Sequence, residues 1–427
     1  MKEWNSFDKI IKGKGMWLID SKGNKMLDGV ASMWCNVWGH SNPELVRAIT
    51  NQSKKLQHSS MFNLTNEPAE RLAENLVNIS PGMHKVFFSD NGSTAMEIAI
   101  KLALQYWKNI GEKKKTKIAT IENGYHGDTF GAMSVGYVPE FFGKFKEQLF
   151  STIQFPVPNK YRMPKGFTFS DYQNYCIEKI EKKFSKNNNI AAFIMESGAQ
   201  VAGGVIIYPK GFQRKISQLC KKYDVLFVLD EIATGLGRLG SMIQYEEQKS
   251  TPDIVAYGKM LTGGYLTMAA TMTNKKIYDS YLGEFNDWKH LFHGHTYTGN
   301  PIAAAVANEN LKMYKTKSLI KKIQKTSKVF EKFYQEISEI DIVGDIRHKG
   351  MLMGIEIVTN RKKKTPIHPK KSINKIFFEE GKKQGIYLRT LGNIVMLVPP
   401  LAISEKELNL LLNGVIRTIK AVRLKVI

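Results

Sequence analysis

Cysteine is scarce in this chain. Cys35, Cys176 and Cys220 are the only three in 427 residues, and they stand far apart. They supply neither a disulfide framework nor a metal-ligand cluster, so a reducing, cytoplasmic setting and no bound metal are expected. Long apolar runs are missing too. No stretch approaches the roughly twenty residues of a membrane-spanning helix, so no membrane partner is expected. Met1-Lys-Glu-Trp-Asn-Ser-Phe has no apolar core behind its basic start, and no secretory signal is visible. Acidic residues are in deficit, 39 against 62 basic ones, for a formal net charge of +23. Such an excess suits a nucleic-acid or membrane-surface protein, or else a lysine-rich solvated surface. The basic residues are spread over runs such as Lys113-Lys114-Lys115, Lys182-Lys183 and Lys321-Lys322, few of them interleaved with aromatics. No nucleic-acid partner is therefore expected, and the charge should favour anionic small molecules in the encounter step.

What is present is ordinary globular composition, 43% hydrophobic and 24% charged, in a chain long enough for a large domain and a smaller one. Val225-Leu-Phe-Val-Leu-Asp230-Glu231 is its organising stretch. Five apolar residues without alternation predict a strand buried on both faces of a parallel sheet. Asp230 then lies at the carboxyl end, where open α/β sheets place ligands. A carboxylate there needs a cation or a strong donor unless it is simply solvated.

Other segments repeat that pattern. Lys85-Val-Phe-Phe88 predicts a strand, followed by Ser89-Asp-Asn-Gly92-Ser93 and a helix to about Ile110. That turn is either an anion site at a helix N-terminus or a plain connection with Ser93 as N-cap. Lys117–Ile121 leads into Gly124-Tyr125-His126-Gly127, where Tyr125 can stack on a ring and His126 is either catalytic or an orienting residue. Ala191–Met195 ends on Glu196. Asp253–Tyr257 ends on Gly258-Lys259, where an amine could be held. Four strands thus end on polar residues that would share one sheet edge. Thr234–Gly240 is glycine-rich but opens no helix, which argues against a dinucleotide site. Met16–Asp20 and Lys25–Asp28 predict a hairpin, and Phe150–Phe169 an irregular excursion. From Lys317 a long basic helix reaches about Ile337. Strands from Ile342 to Val358, a helix Ser372–Gln384, further short strands and a last helix capped by Ser404 and Glu407 follow.

Asp230-Glu231-Ile-Ala-Thr-Gly and Gly258-Lys259-Met-Leu-Thr-Gly-Gly resemble the class III, fold-type I aminotransferases that use pyridoxal phosphate, over nearly the whole chain. Asn123–Ser134 and His293–Pro301 are similar to the biotin-synthesis branch, which aminates 8-amino-7-oxononanoate with S-adenosylmethionine or lysine as donor. The resemblance implies an α/β fold: a large domain with a mostly parallel sheet (51–316) and a smaller α/β domain built from both termini (1–50 and 317–427). It implies Lys259 as the amine bonded to the cofactor and as proton carrier, and Asp230 as partner of the ring nitrogen. Gly92, Ser93, His295 and Thr296 would serve the phosphate end, Thr296 from the second subunit of a homodimer. Tyr125 would cover the ring, Glu196 would support it, Trp34 and Gly294 would line the substrate pocket, and Arg389 would pair with the substrate carboxylate. An ornithine- or 4-aminobutyrate-type ω-amino acid aminotransferase is the alternative within the family, and a basic nucleic-acid-binding protein on the same fold is the alternative outside it. Two departures stand out. Adenosylmethionine-using members carry two adjacent tryptophans where this chain has Met33-Trp34. Members also begin earlier, with an aromatic segment ahead of a stretch similar to Met1-Lys-Glu-Trp4, so a start at an internal methionine is expected.

Overall fold

The computed structural model describes residues 7–426, and the expectation about Met1–Trp4 lies outside them. Leu226–Asp230 is a strand with every residue buried. Its side chains alternate between two cores. Phe227 and Leu229 pack with Cys176, Ile180, Phe184 and Phe193 on one face. Leu226 and Val228 pack with Ala95, Ile98, Ala99 and Leu102 on the other. An apolar run without alternation is what two covered faces require.

This strand lies at the centre of a seven-stranded sheet. The order is Lys85–Ser89, Ala269–Thr273, Ile254–Tyr257, Leu226–Asp230, Ile190–Glu196, Lys117–Ile121 and Ile153–Phe155. Leu226–Asp230 pairs in parallel with both neighbours, and Asp230 stands opposite Glu196. Ala269–Thr273 runs antiparallel to Ile254–Tyr257 and to Lys85–Ser89. Lys85–Ser89 therefore points the same way as the parallel strands, and all four polar strand ends meet at one edge. Neither Ala269–Thr273 nor Ile153–Phe155 was expected from the sequence.

The helix Gly92–Asn109 covers one face of the sheet and is capped by Asn91, not by Ser93. The Asn91 side chain accepts the Thr94 N–H at 3.1 Å while the Thr94 hydroxyl faces the Asn91 N–H, a reciprocal cap. Helices Phe169–Lys186 and Phe212–Lys222 contribute to the core on the other face. The expected basic helix is broken into Leu319–Thr326, Lys328–Lys332 and Tyr334–Glu339.

Two further sheets flank the edge that carries the polar residues. One contains Val343–Lys349, Leu352–Asn360, Ile394–Leu397 and Arg389–Leu391. The other joins Ile10–Lys14, Trp17–Asp20 and Lys25–Asp28 to Ile386–Tyr387, so segments from the two ends of the chain share a sheet. Arg238, in the loop after Leu226–Asp230, ties that loop to the first of these sheets. It is fully buried and donates to the carbonyls of Met351 at 3.0 Å and Pro399 at 2.7 Å. Burial brings its guanidinium down to about 10. Among the described residues, no helix is long and apolar enough to cross a membrane.

Candidate active site

A cavity of about 780 Å³ opens at the carboxyl edge of the large sheet, and its walls include Asp230, Glu196, Lys259, Tyr125, Ser93 and Trp34. Asp230 ends its strand with its carboxylate buried. One oxygen stands 2.8 Å from His126 Nδ1, and the other accepts the Ile232 N–H at 2.9 Å. His126 is thus a direct neighbour of Asp230, with its Nε2 buried and unpartnered. The two residues are 104 positions apart, so nothing local in the sequence announces the pair.

Glu196 lies beside Asp230 on the next strand. It accepts the Tyr125 N–H at 3.1 Å and the Val201 N–H at 2.8 Å. Burial pushes its carboxyl up to about 7, helped by the Asp230 charge and opposed by His126. Lys259 opens a short 3-10 turn, Lys259–Thr262, directly after its strand. Its φ of +41° is strained for a residue with a side chain. Burial lowers its ammonium below the ordinary lysine range, while Asp230 and Glu196 oppose that shift. The amine Nζ stands 5.5 Å from the centre of the Trp34 ring.

Tyr125 forms another wall. Its ring stacks on Phe142 with centroids 6.2 Å apart, and its hydroxyl donates to Asp128 at 2.9 Å. Desolvation and the Asp128 contact hold the phenol protonated. At the far end, Gly92 and Ser93 begin the eighteen-residue helix Gly92–Asn109. Backbone N–H groups at such a helix start form an anion site when the surface is open to a ligand. Two glycines here are required by close packing. A Cβ on Gly127 would fall on Ser93 Oγ, and one on Gly92 would come within 2.9 Å of Ile232 Cγ2.

Four expected residues are not brought into this cavity by their own chain. Gly294 and Thr296 are exposed, and Thr296 is held instead through its carbonyl, 2.7 Å from His58 Nε2. Arg389 lines an adjoining cavity of about 590 Å³ with Leu18, Met26, Met33, Phe378 and Tyr387. Its guanidinium rests on the Met33 sulfur. Met33 belongs to the walls of both cavities. His295 does not line it either, but its Nε2 stands 3.2 Å from Asp90, which does. Sequence reasoning passed over Asp128, Ile232 and Cys35, all of which line the main cavity; only their closeness to Tyr125, Asp230 and Trp34 in the chain could have flagged them.

The site thus combines an amine of lowered basicity, a buried carboxylate with an imidazole behind it, a flat aromatic wall and an anion-binding helix start. The arrangement can grip a phosphorylated heteroaromatic ring and shuttle protons at one of its faces.

The comparisons with known proteins agree with this chemistry. Adenosylmethionine-8-amino-7-oxononanoate aminotransferase of Geobacter sulfurreducens is 39% identical, covering 99% of this chain and 94% of that protein. The protein of the same name from Staphylococcus aureus is 43% identical over 93% of this chain and 88% of its own length. The crystal structure of the Methanocaldococcus jannaschii protein of that name superposes with a TM-score of 0.91 at 40% identity, over 98% of this chain and 94% of that one. An omega transaminase from Pseudomonas jessenii, solved in complex with PMP, gives a TM-score of 0.94 at 29% identity, over 98% and 94% of the two chains. The sequence profile described as Aminotransferase class-III matches residues 2–419, and the chain belongs to that family.

Proposed function

We propose that this aminotransferase uses pyridoxal phosphate to aminate 8-amino-7-oxononanoate in biotin synthesis, with S-adenosylmethionine or lysine as donor. The observation that carries the reading is the convergence of Asp230, Lys259, Tyr125 and the Gly92-Ser93 helix start on one cavity. The donor set fits the cofactor. Open N–H groups match a phosphate, and a buried carboxylate matches a protonated ring nitrogen. The substrate assignment draws its support from relatives at 35–43% identity that carry the oxononanoate name.

When bound, pyridoxal phosphate supplies an aldehyde that takes up the amino group and a conjugated ring that spreads the electron pair left by proton removal. The chain's own residues do the rest. Gly92 and Ser93 would hold the phosphate, with His295 behind that end through its contact with Asp90. Asp230, oriented by His126, would hold the ring-nitrogen end of the cofactor. Tyr125 would cover the ring. Glu196 fixes the Tyr125 and Val201 backbone beside it. Lys259, lowered by burial, would be the amine placed at the cofactor's aldehyde end and available to move protons there. Trp34 walls the substrate side. Arg389 takes the oxo acid's carboxylate with paired donors.

Thr296 and Gly294 serve the cavity of a second copy in a homodimer. The exposed rings of Phe285, Trp288, Phe292 and Tyr297, in the same stretch of chain, support such an interface. The same reading divides the chain at residues 50 and 316. The seven-stranded sheet falls inside the large unit, and the two smaller sheets draw on the ends.

A half-reaction tests the proposal. Protein supplied with pyridoxal phosphate should show a visible absorbance band that a productive donor bleaches. Borohydride should fix the label on Lys259, and Lys259→Ala should lose both turnover and label. Colourless protein, or label on another lysine, would refute the reading.

A further inference from the structure

The turn facing Lys259 is built against its own conformational preferences. Ala31, Ser32 and Trp34 have φ of 49°, 60° and 68°, and no glycine stands between Val30 and Cys35. Ser32, with ψ of −77°, is close to the γ-turn geometry that L residues adopt rarely and under strain. Such a conformation persists only where its surroundings hold it.

Asp28 does the holding. Its side chain is fully buried. One carboxylate oxygen accepts the Ser32 N–H at 2.7 Å, lies 3.4 Å from the Ser32 hydroxyl, and stands 3.1 Å from His40 Nε2. The other accepts the Val30 N–H at 3.2 Å. Asp28 also ends the strand that pairs with Tyr387, two residues before Arg389. The Gly29 N–H donates to the Tyr387 carbonyl at 3.1 Å. One short segment therefore ties the turn to the strand leading into Arg389.

The turn delivers two side chains. Trp34 faces the Lys259 amine. Met33 stands between the two cavities, with its sulfur on Arg389. An acid whose carboxylate reaches Arg389 while its ketone reaches Lys259 must pass Met33.

We propose that Asp28 is a positioning residue for the acceptor: it pins the strained turn so that Met33 and Trp34 shape the passage between the Lys259 and Arg389 cavities. This rests on the transaminase reading above. Asp28→Asn keeps the size but turns an NH₂ group toward one of the two N–H donors, so the turn should relax. The acceptor KM should rise about tenfold, well beyond any change in the donor KM. Adding Ser32→Gly should restore much of that loss, because glycine takes the positive φ without strain. A merely structural Asp28 would lower thermal stability and both half-reactions in parallel, and Ser32→Gly would restore neither KM preferentially; that outcome overturns the proposal. If Asp28→Asn does not fold, Met33→Ala carries the test: the acceptor KM should again rise more than the donor KM, and an unchanged acceptor KM overturns the proposal. Wild-type holoenzyme that no donor bleaches would sink the transaminase reading itself. Normal donor turnover with an unaltered acceptor KM in the variants would sink only the inference.

Discussion

Asp230→Asn separates chemistry from fold at the centre of the site. The carboxylate has two partners, His126 Nδ1 at 2.8 Å and the Ile232 N–H at 2.9 Å. An amide oxygen can still accept from Ile232. The amide NH₂ then faces His126, whose other nitrogen has no partner, so the ring can change tautomer and accept through Nδ1. No buried charge is stranded, which removes the 3–5 kcal/mol penalty usual when a buried pair is broken. A cost of about 1 kcal/mol remains for a weakened hydrogen bond. Unfolding entropy of about 2.1 cal/mol/K per residue over 427 residues converts that into a Tm change of about 1 °C. Catalysis responds differently. Loss of a charge-assisted contact to the ring nitrogen removes ~3 kcal/mol or more from the transition state, on the order of a hundredfold in rate. Single-turnover bleaching by the donor and a thermal melt on the same preparation give both numbers. A variant that turns over within fivefold of wild type, or one that melts ten degrees early, would refute the assignment of Asp230 to the ring.

Two further perturbations follow from the geometry. Gly127→Ala places a Cβ on Ser93 Oγ at a φ of +129°, so it should lower stability by ~2 kcal/mol and weaken cofactor affinity at least tenfold; equilibrium titration with pyridoxal phosphate would expose the error if affinity held. Glu196 titrates at about 7 in the fold against an ordinary 4.5. Its raised value means that its contribution is fully present below 4.5 and is lost as pH rises through 7. Glu231, also pushed up to about 7 by burial, acts in the same window. Glu196→Gln should therefore flatten the fall in apo-protein stability between those pH values by about half, and denaturant midpoints across the window that match wild type would contradict the assignment.

What the sequence makes legible tracks the range of the interaction that fixes each feature. The strand ending on Asp230 can be read directly, because burial on two faces writes itself into consecutive residues. The reciprocal Ser404–Glu407 cap is as plain, since both partners lie within one turn: the Ser404 hydroxyl accepts the Glu407 N–H at 3.2 Å, and the Glu407 carboxylate accepts the Ser404 N–H at 3.0 Å. Ala269–Thr273 is short, mixes alanine and threonine, and is fully buried, so neither alternation nor an apolar run marks it. The helix breaks at Ser327 and Phe333 come without the glycine or proline that would advertise them. Strand ends sharing one edge could be argued from parallel topology, but the roles of Gly294 and Thr296 came only through resemblance, because their own chain leaves them exposed. The hardest case is the turn at Ala31–Trp34. Its residues favour other conformations, and its geometry is imposed by a carboxylate that is itself buried. A site residue such as Met33 is thus placed by a contact that no periodicity reports. Local sequence and local structure disagree there because the fold spends stability on shaping the pocket, as strained segments at functional sites do.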